Sequence, residues 1–190
     1  EKGNGTSGYG STIEFNKNYI QFVRDFIIKN KVKTVVDIGC GDWQFSDQIY
    51  HDLDINYEGY DCVKHLIEEH KKRFSKKNNY HFHHINGDNI TNSIETKNPD
   101  LIILKDVIQH WTNENIVKFF DSIHSSLKFK TILLTNDHTS YDNVNIQTGQ
   151  YRRLNLDKEP FITLRKKFLF QTVFEFNSGD DKTTFRVTKL

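Results

Sequence analysis

The chain has no methionine, only two cysteines and no surplus of charge of either sign. The missing methionine, initiator included, predicts processing or a domain cut from a longer polypeptide. Two cysteines, Cys40 and Cys62, cannot make a disulfide framework. One bridge between them would stiffen a site without stapling a fold, so the economical reading is a reduced, cytoplasmic protein. With 26 Lys and Arg against 25 Asp and Glu, no net field draws the chain to nucleic acid or to a lipid surface. No apolar run approaches the roughly 20 residues of a membrane span, and no signal-peptide pattern opens the chain.

What is present fits one globular domain over residues 1–190. Aromatic residues make up 13% of the chain, with 15 Phe, enough large apolar side chains to argue against disorder despite the polar average. Residues 1–10 hold four of the ten glycines, carry no apolar period and are expected to be flexible. Ser11 to Glu14 fit a capping box ahead of a helix over about residues 12–30, with Ile13, Ile20, Val23, Phe26 and Ile27 near helical spacing.

The organising stretch is Thr34 to Trp43 (TVVDIGCGDW). Its β-branched apolar run suits a strand covered on both faces, and Gly39 and Gly41 let the backbone bend sharply towards a ligand. Backbone N–H groups at the start of the following helix would hold a nucleotide-type ligand. A dinucleotide fingerprint needs a third glycine where Gln44 stands, and Asp37 occupies a place that such folds give to an apolar residue. A short helix near 44–51 precedes a second strand, 56–61, ending in Asp61. That acid follows Asp37 by roughly the 20-residue offset at which such folds place the carboxylate that accepts ribose hydroxyls.

Val63, Leu66, Ile67, His70 and Phe74 mark the next helix, and 80–86 a third strand ending at Gly87-Asp88-Asn89. Four histidines, 70, 81, 83 and 84, have no carboxylate or cysteine at supporting spacing, so no metal site is expected. Asp100 to Leu104 is the most apolar strand and runs into Lys105-Asp106-Val107-Ile108-Gln109-His110-Trp111. Thr112 caps a helix faced by Ile116, Phe119, Phe120, Ile123 and Leu127, and 130–135 is the fifth strand. This strand–helix rhythm predicts a parallel sheet with helices on both faces. Residues 168–176 and 182–190 are too close for a crossover helix and must pair as an antiparallel hairpin. Residues 136–167 have almost no helical period, and a segment of that length is expected to be a lid or substrate-binding loop.

Acid-x-Gly-x-Gly after a first strand, with the hairpin closing the sheet, resembles the class I S-adenosylmethionine-dependent methyltransferases. The resemblance narrows to a small subfamily of bacterial and large-virus genomes. It is carried by Gly10-Ser11-Thr12, by Cys40-Gly41-Asp42-Trp43, by Asp106 to Trp111 and by the loop from Asn143 to Leu156. It implies a Rossmann-like α/β fold with a seven-stranded, mostly parallel sheet. The implied cofactor is S-adenosyl-L-methionine, with S-adenosylhomocysteine as product. Its contacts would be Asp37, Gly39, Cys40, Gly41, Asp42 and Trp43 at the methionine end, Asp61 with neighbouring Cys62 at the ribose, Asp88 and Asn89 at the adenine, and Lys105 and Asp106 beside the sulfonium.

The subfamily implies O-methylation of a sugar or glycan precursor, in chains that often neighbour glycosyltransferase domains. His110 is the first candidate base, Asp106 orients it or replaces it, and His138 is the third candidate. Tyr151, Arg152, Arg153 and Asn155 are the candidate acceptor-binding residues, the arginines being suited to anions or, equally, to pairing with Asp137, Asp142 or Asp157. Amine methylation is disfavoured because Lys-Asp-Val-Ile stands where the Asn/Asp-Pro-Pro-aromatic signature would be. RNA methylation, a catalytically silent S-adenosylmethionine-binding subunit and a nicotinamide oxidoreductase are the competing readings.

Overall fold

A computed structural model describes residues 9–85, 90–94, 98–126, 128–176 and 182–190, without the side chains of residues 9 and 92. The chain divides into two compact units, Glu1–Asn86 and Gly87–Leu190. Its strands form a seven-stranded sheet in the order β3-β2-β1-β4-β5-β7-β6. This is the mostly parallel, hairpin-closed Rossmann-like architecture expected from the rhythm of the chain.

In the first unit, α1 (Ile13–Lys29) buries Tyr19, Ile20, Val23 and Ile27 along one face. Its N-cap is Thr12, whose hydroxyl accepts from the Phe15 N–H, one residue later than the Ser11 of the expected capping box. Ser11 instead closes a 3₁₀ turn, Tyr9–Ser11. β1 (Thr34–Ile38) and β2 (Asn56–Asp61) run parallel in the register Val35↔Tyr57 and Asp37↔Gly59. β3 (Tyr80–His84) continues the parallel ladder on β2. Between them lie α2 (Ser46–Tyr50) and α3 (Lys64–Arg73), which buries Leu66, Ile67 and His70.

The second unit begins with the short α4 (Ile90–Ile94) and the central β4 (Leu101–Lys105). Leu101, Ile102 and Leu104 are wholly buried, each removal from water being worth about 1.5–3 kcal/mol. α5 (Asn113–Ser126) turns Ile116, Phe119, Phe120 and Ile123 inward. β5 (Thr131–Asp137) runs parallel to β4 and extends two residues beyond the expected strand. β6 (Phe168–Glu175) and β7 (Lys182–Lys189) form the antiparallel hairpin, with β7 also antiparallel to β5 and Asp137 opposite Lys182.

The long segment after β5 is folded back rather than free. Thr139 N–H donates to the Leu154 carbonyl, Leu154 N–H to Asp137, and Gly149 N–H to His110. A 3₁₀ stretch, Phe161–Lys166, then buries Phe161 and Leu164. Phe161 and Leu164 make a single pair three residues apart in a short 3₁₀ turn, and the rest is held by loop hydrogen bonds, which is why the segment has no legible period.

Candidate active site

In the first unit the glycine turn is shaped by three left-handed residues, Gly39 (φ 76°), Gly41 (φ 59°) and Trp43 (φ 58°). Such angles are natural for glycine and uncommon for tryptophan. The Gly39 and Cys40 N–H groups both donate to the Tyr60 carbonyl, at 2.7 and 3.1 Å, so the turn is tied to the end of β2. Asp61 completes the tie. One carboxylate oxygen accepts the Gly41 N–H and the other the Val63 N–H, each at 2.9 Å. His70 secures the turn from α3, its Nε2–H donating to the Gly41 carbonyl at 2.8 Å.

Behind the turn lies a hydrogen-bond relay. The Trp43 indole N–H donates to the Tyr57 hydroxyl, which donates to the Asp37 carboxylate, both at 2.8 Å. Burial first, and the Asp37 charge second, push the Tyr57 phenol well above its ordinary range, so it stays a donor. The Trp43 indole is 1% exposed and packs edge-on against Tyr57, Phe74, Tyr80 and Phe82. Its role in the turn is conformational, through the core. Cys40 is a buried free thiol raised by burial, then by Asp37 and Asp61. Cys62 is a free exposed thiol raised by burial and by Asp61. Asp42 accepts from the Gln44 side chain at 2.9 Å. α2 starts only at Ser46 and is five residues long, so no helix start adjoins the turn, whose Gly39, Cys40 and Gly41 amides are given to Tyr60 and Asp61.

In the second unit β4 ends in a charge cluster. Asp106 has φ 59°, an uncommon angle for a side chain, and its N–H is held by the Thr135 carbonyl. Its carboxylate is bracketed by Lys105 and by Lys182 of the hairpin, the latter at 2.7 Å. Lys182 also reaches Asp137 at 3.5 Å, and Asp137 accepts the Tyr151 hydroxyl at 2.8 Å. Both ammonium groups lie over the Phe176 ring. Burial would raise the Asp106 carboxyl, but the two lysine charges outweigh it and hold the group below its ordinary range. Burial, aided by the Lys182 charge, lowers Lys105 despite its carboxylate neighbour.

His110 ends a 3₁₀ turn, Ile108–His110. Its Nδ1 lies 3.1 Å from the Gln150 carbonyl. A carbonyl only accepts, so this bond selects, for the neutral ring, the tautomer with its proton on Nδ1 and the lone pair on Nε2. Tyr151 packs beside the ring at 5.9 Å and also meets Arg153. His138 is half-buried and bridges to Leu154 through backbone. Arg152 is buried, donating to the Gln109 carbonyl and the Asn113 side chain. Asn155 pairs with Asn143 and caps Asp157. Arg152 and Asn155 are thus the fasteners of the loop, whereas Tyr151 and Arg153 are its exposed members. Asp88 and Asn89 lie outside the described residues.

His70, Tyr57 and Lys182 are site residues that the motifs do not point to. His70 and Tyr57 read as helix and strand face, and nothing local signals which polar atom will meet a turn. Lys182 opens a strand of ordinary composition and reaches Asp106 only through the hairpin topology. Among the described residues no three His, Cys, Asp or Glu gather as a metal site.

The family model of the methyltransferase domain matches residues 29–177. The chain belongs to this methyltransferase family. No curated protein sequence matches it. Among solved structures, the methyltransferase is similar to the N-methyltransferase NodS from Bradyrhizobium japonicum, in complex with S-adenosyl-L-homocysteine. The TM-score is 0.67 at 12% identity, covering 99% of this chain and 93% of that one. It is also similar to the methyltransferase domain of bacterial CtHen1, at TM-score 0.65 and 12% identity, covering 92% and 98% of the two chains. An O-methyltransferase family protein from Burkholderia thailandensis matches at TM-score 0.65 and 12% identity, over 93% of this chain but 56% of that one. At such identities the likeness is one of fold.

The cofactor of the methyltransferase is S-adenosyl-L-methionine, and the first unit fits it. The Asp61 carboxylate has about four acceptor positions, of which the two N–H groups use two, leaving one on each oxygen for a vicinal pair of ribose hydroxyls. Gly39 and Gly41 present backbone without side chains at the turn where the methionine end would lie.

Proposed function

We propose that this methyltransferase O-methylates a sugar or glycan-precursor hydroxyl, the acceptor class of the bacterial and large-virus subfamily that its motifs resemble. The observation that supports a hydroxyl acceptor most directly is the His110 tautomer: with Nδ1–H given to Gln150, Nε2 is free to accept a proton. A sugar hydroxyl is a poor nucleophile, and a base within hydrogen-bond reach contributes roughly two to four orders of magnitude. S-adenosylmethionine supplies an already activated methyl group, so the protein's own task is alignment and proton removal.

Asp61 holds the ribose, and the Gly39–Gly41 turn, shaped by Trp43 and with Asp42 and Cys40 beside it, takes the methionine end. Asp88 and Asn89 take the adenine, and Cys62 borders the ribose. Lys105 and Asp106 stand beside the methyl group that moves. Tyr151 and Arg153 grip the acceptor, and Arg152 and Asn155 keep their loop in place. Asp106 and His138 are the further candidate bases. The acceptor arrives as a small molecule or glycan precursor in the cytoplasm, next to the glycosyltransferase domains such chains accompany.

The test pairs calorimetry with turnover. S-adenosylmethionine binding in the micromolar range should fall at least about a hundredfold in Asp61→Ala, which removes charge-assisted hydrogen bonds of about 1.5–3 kcal/mol each. Radiolabel transfer to a panel of sugars and nucleotide sugars should drop about 10²- to 10⁴-fold in His110→Ala with cofactor affinity unchanged. Cofactor binding without transfer to any hydroxyl would leave the silent-subunit reading standing instead, and undiminished transfer by His110→Ala would remove His110 from the role of base.

A further inference from the structure

The run from His70 to His84 carries Lys71, Lys72, Arg73, Lys76 and Lys77 and no Asp or Glu. In a chain with balanced charge overall, that is a local concentration of one sign. The structure gathers part of it around a groove of about 510 Å³ within the first unit, lined by Lys71, Phe74 and Lys77 from α3 and the turn after it, and by Tyr80 to His83 of β3.

Successive strand residues point to opposite faces, so a groove that touches four in a row must run along the strand's edge. β3 is the outermost strand of the sheet. In its parallel ladder the Tyr57 N–H donates to the Asn79 carbonyl and the Ile85 N–H to the Asp61 carbonyl. The odd-numbered residues of β3 therefore turn their backbone groups towards β2, and Phe82 and His84 turn theirs outward.

We propose that this edge of β3 docks an extended, acidic segment of a partner protein, which adds to the sheet as a further strand. The outward N–H and C=O groups of Phe82 and His84 supply the ladder. Lys77 supplies the complementary charge, joined by Lys71 at the exposed end of its 3.3 Å pair with Glu68. Arg73 lies over the Phe74 ring at 4.8 Å and Lys77 over the Tyr80 ring at 5.7 Å, so cations are already seated beside the apolar floor.

Two other occupants fit less well. A second copy of this chain would set the same lysines against one another across the new pair. A single-stranded nucleic acid would want exposed rings for its bases, but Phe74 and Phe82 are stacked on each other at 5.4 Å and buried.

Fluorescence anisotropy with a labelled heptapeptide, Thr-Glu-Val-Glu-Val-Glu-Thr, tests the proposal. The peptide should bind saturably and weaken with salt. N-methylation of its alternate backbone nitrogens, and His84→Pro in the protein, should each weaken binding about five- to tenfold, the worth of a hydrogen bond. The double variant Lys71→Glu/Lys77→Glu should weaken it at least tenfold, and a Lys-for-Glu peptide should not bind. Proline is tolerated at a sheet edge; should His84→Pro fail to fold, the N-methylated peptide makes the same test on the intact protein. No binding, equal binding of the N-methylated peptide, tighter binding of a ten-nucleotide oligouridine, or a dimer in sedimentation that His84→Pro dissolves would each overturn it.

Discussion

Tyr57→Phe deletes one oxygen from the middle of the Trp43–Tyr57–Asp37 relay. The ring stays, and the packing against Trp43, Tyr50, Tyr80 and Phe82 is kept. Two bonds of 2.8 Å disappear. The indole N–H of Trp43, at a residue 1% exposed, loses its acceptor, which costs about 1–3 kcal/mol, and the Asp37 carboxylate loses a charge-assisted donor of about 1.5–3 kcal/mol. Relaxation recovers part of this, so a net loss of about 3 kcal/mol is expected. For a chain of this size that corresponds to a fall in Tm of about 6–12 °C.

Urea unfolding followed by circular dichroism measures the loss. A double-mutant cycle with Trp43→Phe isolates the relay, because each single variant already breaks the shared bond. The coupling should be about 1 kcal/mol or more. A loss under about 0.5 kcal/mol, or strictly additive single variants, would mean that the turn owes its shape to the glycines and Asp61 alone. S-adenosylmethionine affinity should fall along with stability, since Asp37 would lose the Tyr57 hydroxyl as one of its holds at the foot of the turn.

Gly59→Ala places a methyl group 2.9 Å from Tyr57 Cε1, 3.0 Å from Phe82 Cδ1 and 3.1 Å from Cys40 Sγ. Overpacking of this kind costs about 1–3 kcal/mol, and thiol labelling of Cys40 should quicken as its wall is pushed aside; unaltered stability and labelling would contradict the contact. Asp106→Asn leaves Lys105 and Lys182 with Asp137 as the remaining carboxylate beside them, a loss of roughly 3 kcal/mol at neutral pH. The wild-type carboxyl lies below its ordinary value of 3.8, so its contribution is complete above that pH and disappears as pH falls through the folded value. The gap between wild type and Asp106→Asn in urea titrations should therefore narrow below about pH 4, and a gap independent of pH would count against the bracketed carboxylate.

The elements built from continuous apolar runs were the legible ones. β1, β4 and β5 announce themselves by β-branched and leucine-rich stretches, and the hairpin by two strand-like runs too close for a helix between them. Caps and pins are harder, since Ser11 and Thr12 are equally good hydroxyl acceptors and only the geometry of the preceding 3₁₀ turn selects Thr12. Gly59 looks like an ordinary weak point in a strand until Cys40 and Phe82 are seen to occupy its side-chain space. Asp61 stands out in the sequence because nucleotide-binding folds keep an acid at a roughly fixed offset from the turn, and the structure has it accept the Gly41 N–H. The partners of Asp106 do not stand out, because 76 residues separate it from Lys182 and no period links them.

The hairpin has a consequence for the order in which the enzyme comes into being. β7 lies between β5 and β6, so a late-synthesised strand occupies an interior place, and the family match already ends at residue 177, before Lys182. A nascent chain halted there would hold every recognised methyltransferase motif and yet carry Asp106 with only one of its two lysines. The charge cluster at the end of β4 is therefore completed last, when Lys182 has been made and β7 has paired with β5.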